Sequence, residues 1–223
     1  MFIFCNINSM KIHNYLLIPL ILSLLFISAC AKKQALISSE YIWNPETESG
    51  RLLKILYFDE LMGVFNRVSA YNFPVQKNGL GFTVAESCQQ KKCTNEEMSK
   101  FWLFLASSID FTVSNNKYGT IQKRATYVVK RRLPDFLFSL KDLNMDNLYK
   151  DTNFMGFMFS FTWKSLSYPE GLIKSANFEN VHIYIPKLVF KNYLKKDITF
   201  AKLLNKSRSY IRINKPEAEE LFF

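Results

Sequence analysis

The sequence predicts an α+β domain, N-terminal amphipathic helices followed by a small sheet with helical insertions, and three observations carry that reading. Leu52, Leu53, Leu56, Leu61, Met62, Phe65 and Val68 recur mostly at helical spacing, so roughly 48–71 reads as one amphipathic helix. Phe157, Phe159, Phe161 and Trp163 alternate, and so do Val181, Ile183 and Ile185, which marks half-buried strands. The composition fits a packed core: of 223 residues 16% are aromatic, including 21 Phe, and 22% are charged. Disordered chains lack that much bulky apolar material.

Taken in order, the first 29 residues contain one charged side chain, Lys11. Residues 16–29 (LLIPLILSLLFISA) are uncharged and apolar, yet shorter than the roughly 20 residues that span a bilayer core. A basic start, a short apolar run and small residues before a cut describe an export signal. Its end, Ile27-Ser28-Ala29-Cys30, resembles the lipobox of bacterial lipoproteins: an aliphatic residue, two small ones and then the modified cysteine.

That resemblance covers residues 10–30 and implies a specific chemistry. Ile27 fills the aliphatic position, and Ser28 and Ala29 are the small pair admitted by the lipoprotein signal peptidase. Cys30 receives diacylglycerol on sulfur, becomes the first residue, and in many bacteria is then acylated on nitrogen. Two or three chains, at roughly 0.8 kcal/mol per buried methylene, anchor a protein stably where one would not. Met10-Lys11 opens the signal in the common way, so Met10 is the expected initiator. Ala31 follows Cys30 where an Asp would retain the protein at the inner membrane, so the sorting rule of two-membrane bacteria favours the outer membrane.

The expected organisation is therefore a signal peptide over 1–29, a lipidated tether over 30–40 and a single globular domain over 41–223. The tether AKKQALISSE is small and polar, and ten flexible residues give an end-to-end distance of about 17 Å. After the long first helix, Phe73-Pro74 is a stop, and Gly79 and Gly81 mark a loop. Thr94 and Glu97 form a capping box. The helix it opens would carry Met98, Phe101, Trp102 and Leu105 on one stripe to about Ile109. Asn115–Gly119 is a turn. Residues 120–132 fit either a strand or a helix, and Leu137, Leu140 and Leu143 suggest a helix after Pro134. The two alternating strands follow. Residues 187–206 look helical in two pieces, with Asp197 a plausible cap for the second, and Ile211 and Ile213 end the pattern as a short strand.

The remaining cysteines of the domain, Cys88 and Cys93, are spaced C-x4-C. Outside the cytoplasm two nearby thiols usually pair, and a disulfide here would contribute about 2 kcal/mol on the loop-entropy argument. Free thiols and a metal site are the alternatives. Metal needs about four ligands, and downstream of Cys30 these two cysteines have only His182 to join them, so neither metal nor cofactor is expected. His182 points opposite to the apolar alternation, as a surface histidine or, less simply, a catalytic base. Ser114-Asn115-Asn116-Lys117 and Ser175-Ala176-Asn177 match two boxes of penicillin-interacting enzymes, but the third is absent. Asp59-Glu60 and Glu96-Glu97 are adjacent acids; the first pair is expected to face solvent.

The chain has 29 Lys and Arg against 19 Asp and Glu. Between 187 and 215 lie Lys187, Lys191, Lys195, Lys196, Lys202, Lys206, Arg208, Arg212 and Lys215 against Asp197 alone. Lys187, Lys191 and Lys195 fall at i, i+4 and i+8, lining one helix face. With Lys196 they are candidates for resting on anionic headgroups, at about 1 kcal/mol per basic residue, or on acidic polysaccharide; an ordinary solvated face is the alternative. Export removes nucleic acid from the expected partners. The terminal Leu221-Phe222-Phe223 reads as an apolar tail that docks. The leading expectation is a non-enzymatic binding or assembly module of the cell envelope with a lipid anchor, its expected partners being the membrane and an envelope protein complex. A surface-exposed binder of host or matrix polyanions and an envelope hydrolase using carboxylates are the alternatives.

Overall fold

A computed structural model describes residues 40–84, 94, 96, 99–167, 175–212 and 219–222. The lipobox Ile27–Cys30, the Cys88/Cys93 pair and the Glu97 end of the capping box lie outside the described residues. The α+β class holds. The order of elements differs from the expectation, because two strands precede the main helical block and, among the described residues, the sheet has six strands in the order β1 to β6 along the chain.

The long first helix divides at Tyr57 into α1 (Glu48–Leu56) and α2 (Phe58–Ala70). Thr47 caps α1 by accepting from the Gly50 amide at 3.2 Å. The two halves have different fates. Helix α2 buries Leu61, Val64 and Val68, whereas α1 buries no residue and leaves Leu52, Ile55 and Leu56 largely exposed. Asn72, at φ 56°, turns the chain after α2.

Strand β1 (Val75–Thr83) occupies the stretch whose glycines suggest a loop, and β2 (Phe101–Ser114) occupies the expected capped helix. Both departures have a packing cause. Gly79 lies where β1 crowds β2: a Cβ there would stand 2.9 Å from the Ala106 carbonyl oxygen. In β2, Phe101, Leu103 and Leu105 face one side and Trp102, Phe104 and Ala106 the other, so an apolar run covers both faces and hides the two-residue period.

Strand β2 leads through α3 (Asn115–Tyr118), α4 (Ile121–Ser139) and α5 (Asp146–Lys150) to β3 (Phe154–Ser167), which lies parallel to β2. A parallel neighbour requires such a crossover. Helix α4 resolves the ambiguity over 120–132 in favour of helix and runs through Pro134 without ending. Strand β4 (Ser175–Pro186) pairs antiparallel with β3, Phe159 opposite Ile183 and Phe161 opposite Val181. Helices α6 (Lys187–Leu194) and α7 (Phe200–Asn205) follow; Thr199, not Asp197, caps α7, accepting from the Lys202 amide at 3.3 Å. Strands β5 (Arg208–Arg212) and β6 (Glu219–Glu220) complete the sheet.

Helices α4 and α6 cover one face of the sheet. Phe136 of α4 packs edge-on against Phe159 and Phe161, and Phe190 of α6 lies 4.0 Å from Phe157 between ring centres. The apolar tail docks in part: Leu221 is buried and its amide donates to the Ser209 carbonyl at 2.7 Å, while Phe222 is exposed. Upstream, Ile42 bridges to Leu80 on the outer side of β1, and the Trp43 amide donates to the Leu80 carbonyl at 2.7 Å.

Candidate functional site

A cavity of about 730 Å³ lies between α1, Trp43 and the sheet. Leu52, Leu53 and Leu56 of α1 line its wall together with Phe82, Phe101, Phe104 and Met158 of the sheet. Gly50 lets the chain fold back into this wall, since a Cβ there would meet Pro45 at 2.6 Å. Gly81 lets the Trp43 side chain lie flat on β1, because a Cβ would stand 3.1 Å from the Cβ of Trp43. The volume falls within the range of small-molecule sites.

Polar groups at this cavity are held by neighbours. Tyr57, at the break between α1 and α2, donates its phenol to the Asp151 carboxylate at 2.7 Å. The Lys187 ammonium donates to the Asp151 carbonyl at 2.9 Å, and the Asn153 amide to the carboxylate at 2.8 Å. Burial, then the hydrogen bond to Asp151 and its charge, pushes the Tyr57 phenol well above its ordinary ionisation range. His182 also lines the cavity; it sits half-buried on the sheet face opposite the one that α4 and α6 cover, paired across strands with Ser160 and Tyr210, rather than on open surface.

The basic residues picked out at 187–196 do not form one free stripe. Lys187 is half-buried and turned onto Asp151 and the Phe154 ring. Lys191 is exposed, 5.8 Å from the Tyr149 ring, and lines a hollow of about 230 Å³ together with Lys195, Asp142 and Asp146. Lys195 caps α6 and Lys196 follows at φ 66°, both exposed.

A second cationic surface escaped the sequence reading. Arg131 of α4 lies 4.5 Å over the Phe111 ring and donates to the Tyr127 phenol, and Tyr127 stacks on Tyr118 at 4.4 Å. The Arg131 bond lowers the Tyr127 phenol from its ordinary range. Arg132 pairs with Asp110. The run Lys130-Arg131-Arg132 was its only sequence signal.

The other buried charges are Arg124 and Glu179. Arg124 Nε donates to Glu179 at 2.8 Å and a terminal nitrogen at 2.5 Å, and the Trp163 indole donates to the same carboxylate at 2.9 Å. Arg124 also reaches the Gly119 carbonyl. With three donors on it, Glu179 is a structural anion between β3, β4 and α4. Glu60 is also buried, against the expectation that it faces solvent, while Asp59 is exposed. Turning inward at Glu60 follows from the same helical phase that buries Leu61 and Val64. Ser114 of the S-x-x-K pattern accepts from the Lys117 amide at 3.4 Å, so its hydroxyl caps α3. Among the described residues no group of three or more His, Cys, Asp or Glu could hold a metal ion, and no helix is long and apolar enough to cross a membrane.

Comparisons of this chain with models of protein families, with curated proteins and with solved structures yield no match.

Proposed function

We propose that the chain is a membrane-anchored lipoprotein of the cell envelope whose folded domain binds its partner without transforming it. The observation that carries this reading is Ile27-Ser28-Ala29-Cys30 at the end of an uncharged apolar run, with the compact body beginning at Tyr41. Thioether-linked diacylglycerol on Cys30 holds the molecule at a bilayer, and residues 31–40 set how far the body stands from it. A binding role is supported by the cavity beside α1, whose walls are leucine, phenylalanine and methionine. It is supported further by two acids: buried Glu179 is occupied by Arg124 and Trp163, and half-buried Asp151 by Tyr57, so neither is poised as a general acid or base.

The test is mass spectrometry of the protein taken from its own membrane. The expected product starts at Cys30 and carries diacylglycerol on that sulfur. An unmodified thiol at Cys30, or a finished product that retains residues 16–29, overturns the reading.

A second reading, contact with polyanions outside the cell, is favoured by the exposure of Lys191, Lys195 and Lys196. Protease treatment of whole cells separates the two: a periplasmic domain is protected and a surface domain is shaved.

A further inference from the structure

The cavity between α1, Trp43 and the sheet points to a ligand class, and we propose that it holds the long acyl chain of a bilayer lipid. The proposal rests on the membrane-anchored reading above, which brings the cavity to a lipid surface.

Four features of the site lead to this ligand. The first is the condition of α1. Leu52 and Leu56 line the cavity yet are 60% and 68% exposed, and the helix buries no residue. An amphipathic helix ordinarily buries its apolar stripe against something. Here the stripe lines a space of about 730 Å³ that Phe104 and Met158 of the sheet also line. An apolar guest in that space covers lining residues of both α1 and the sheet, and apolar area removed from water is stabilising.

The second feature is the carbon-rich character of the walls that Leu52, Leu53, Leu56, Phe101, Phe104 and Met158 build, although serine, threonine, asparagine and histidine side chains also line the cavity. A peptide entering the cavity would bring an amide and a carbonyl with every residue, and each would need a partner. An alkyl chain brings none. The third is charge. Asp151 is the one fully charged group among the described lining residues, and its carboxylate is engaged by Tyr57. A polyanion or polycation finds no complement inside.

The fourth feature is where the chain enters the body. Trp43, four residues into the described chain, is part of the cavity wall. Residues 31–40 span at most about 36 Å when fully extended. A lipid on Cys30 therefore keeps the wall within that reach of the bilayer, where acyl chains are the abundant apolar molecules.

The test uses cells that make the full chain and are fed a diazirine-bearing palmitate analogue, which enters both phospholipids and the acyl groups of lipoproteins. After irradiation the purified protein is mapped by mass spectrometry. Adducts of phospholipid mass are expected on Phe104 and Met158 as well as on Leu52 and Leu56. Met158 is only 2% exposed, so label there requires a chain inside the cavity. Leu56→Glu is expected to cut the yield on Phe104 and Met158 about tenfold, because a carboxylate facing the guest forfeits apolar contact and stays hydrated. Its melting temperature should match the parent's, since Leu56 is exposed.

Adducts confined to Leu52, Ile55 and Leu56 would mean that α1 merely lies on the bilayer, and would overturn the proposal. So would a crosslink joining the anchor's own acyl chain to the cavity, protection of the cavity by residues 16–29 in the uncleaved precursor, or no label at all. Ligand and anchor are separable in this experiment. A lipidated Cys30 with an unlabelled cavity removes the ligand and leaves the anchor. A labelled cavity with an unmodified Cys30 removes the anchor alone.

Discussion

Removing the arginine from the buried Arg124–Glu179 pair is the sharpest perturbation of this fold. Both side chains are less than a tenth exposed, and the guanidinium meets the carboxylate through two nitrogens. Arg124→Met keeps most of the apolar stem but strands an anion beneath α4, with the Trp163 indole its one remaining donor of the three. Breaking one partner of a buried pair costs about 3–5 kcal/mol. For a domain of 150–250 residues each kcal/mol moves the melting temperature by about 2–4 °C, so a fall of about 6–20 °C is expected. Arg124→Met combined with Glu179→Leu removes the stranded charge. It leaves the Trp163 indole short of a partner, at about 1–3 kcal/mol for a buried polar group, while the carbonyl of exposed Gly119 can turn to water. The double variant should therefore be more stable than the single one. Guanidinium denaturation of all three proteins at pH 7, followed by tryptophan fluorescence, measures this. A single variant that loses less than about 1 kcal/mol, the range of an exposed ion pair, would refute the reasoning, as would a double variant less stable than the single.

Gly156→Ala should cost about 3 kcal/mol or more, because φ is 150° and the new Cβ would lie 2.2 Å from the Ile185 carbonyl oxygen; thermal melting checks it. Tyr57→Phe should cost about 1.5–3 kcal/mol at pH 7 by removing a hydrogen bond to a charged group. Tyr57 and Tyr149 are both raised above the ordinary value of 10, chiefly by burial. The folded state then holds protons that the unfolded state releases, so stability is intact below pH 10 and falls as pH climbs above it. Denaturation curves at pH 8, 10 and 11 should show that decline, with a shallower one for Tyr57→Phe. Replacing Lys191, Lys195 and Lys196 by Gln should weaken binding to anionic vesicles by about 1 kcal/mol per residue at low salt, with the difference shrinking as salt rises. Lys187→Gln should instead lower thermal stability by about 1 kcal/mol through loss of its bond to the Asp151 carbonyl. Equal vesicle binding by the triple variant and the parent would leave only a solvated face.

Strands β3 and β4 were legible because one of their faces is packed under helices and the other is not, which prints the alternation into the sequence. Strand β2 was not. It has a neighbouring strand on each side, and Phe101–Ala106 is apolar on both faces, so the same residues also fit a helical stripe. The glycines of β1 read as loop because their purpose is close approach to Ala106 and Trp43, residues distant in sequence. The break at Tyr57 has neither glycine nor proline to announce it; it coincides with a buried phenol bound to Asp151, 94 positions away. The cavity was invisible for the same reason. Leu52, Leu53 and Leu56 look like ordinary core residues, and only the fold reveals that α1 buries none of them.

The two rims of the sheet have a consequence for a molecule crowded among its own copies. On one side the outer strand is already shadowed by Ile42 and Trp43, which occupy the carbonyl of Leu80 and its surroundings. On the other, the last strand is two residues long, and both are glutamate. Open strand edges recruit further strands from neighbouring chains, and short, charged or covered ones resist it. Copies of this domain can therefore stand side by side at high density without their sheets joining into one continuous ribbon.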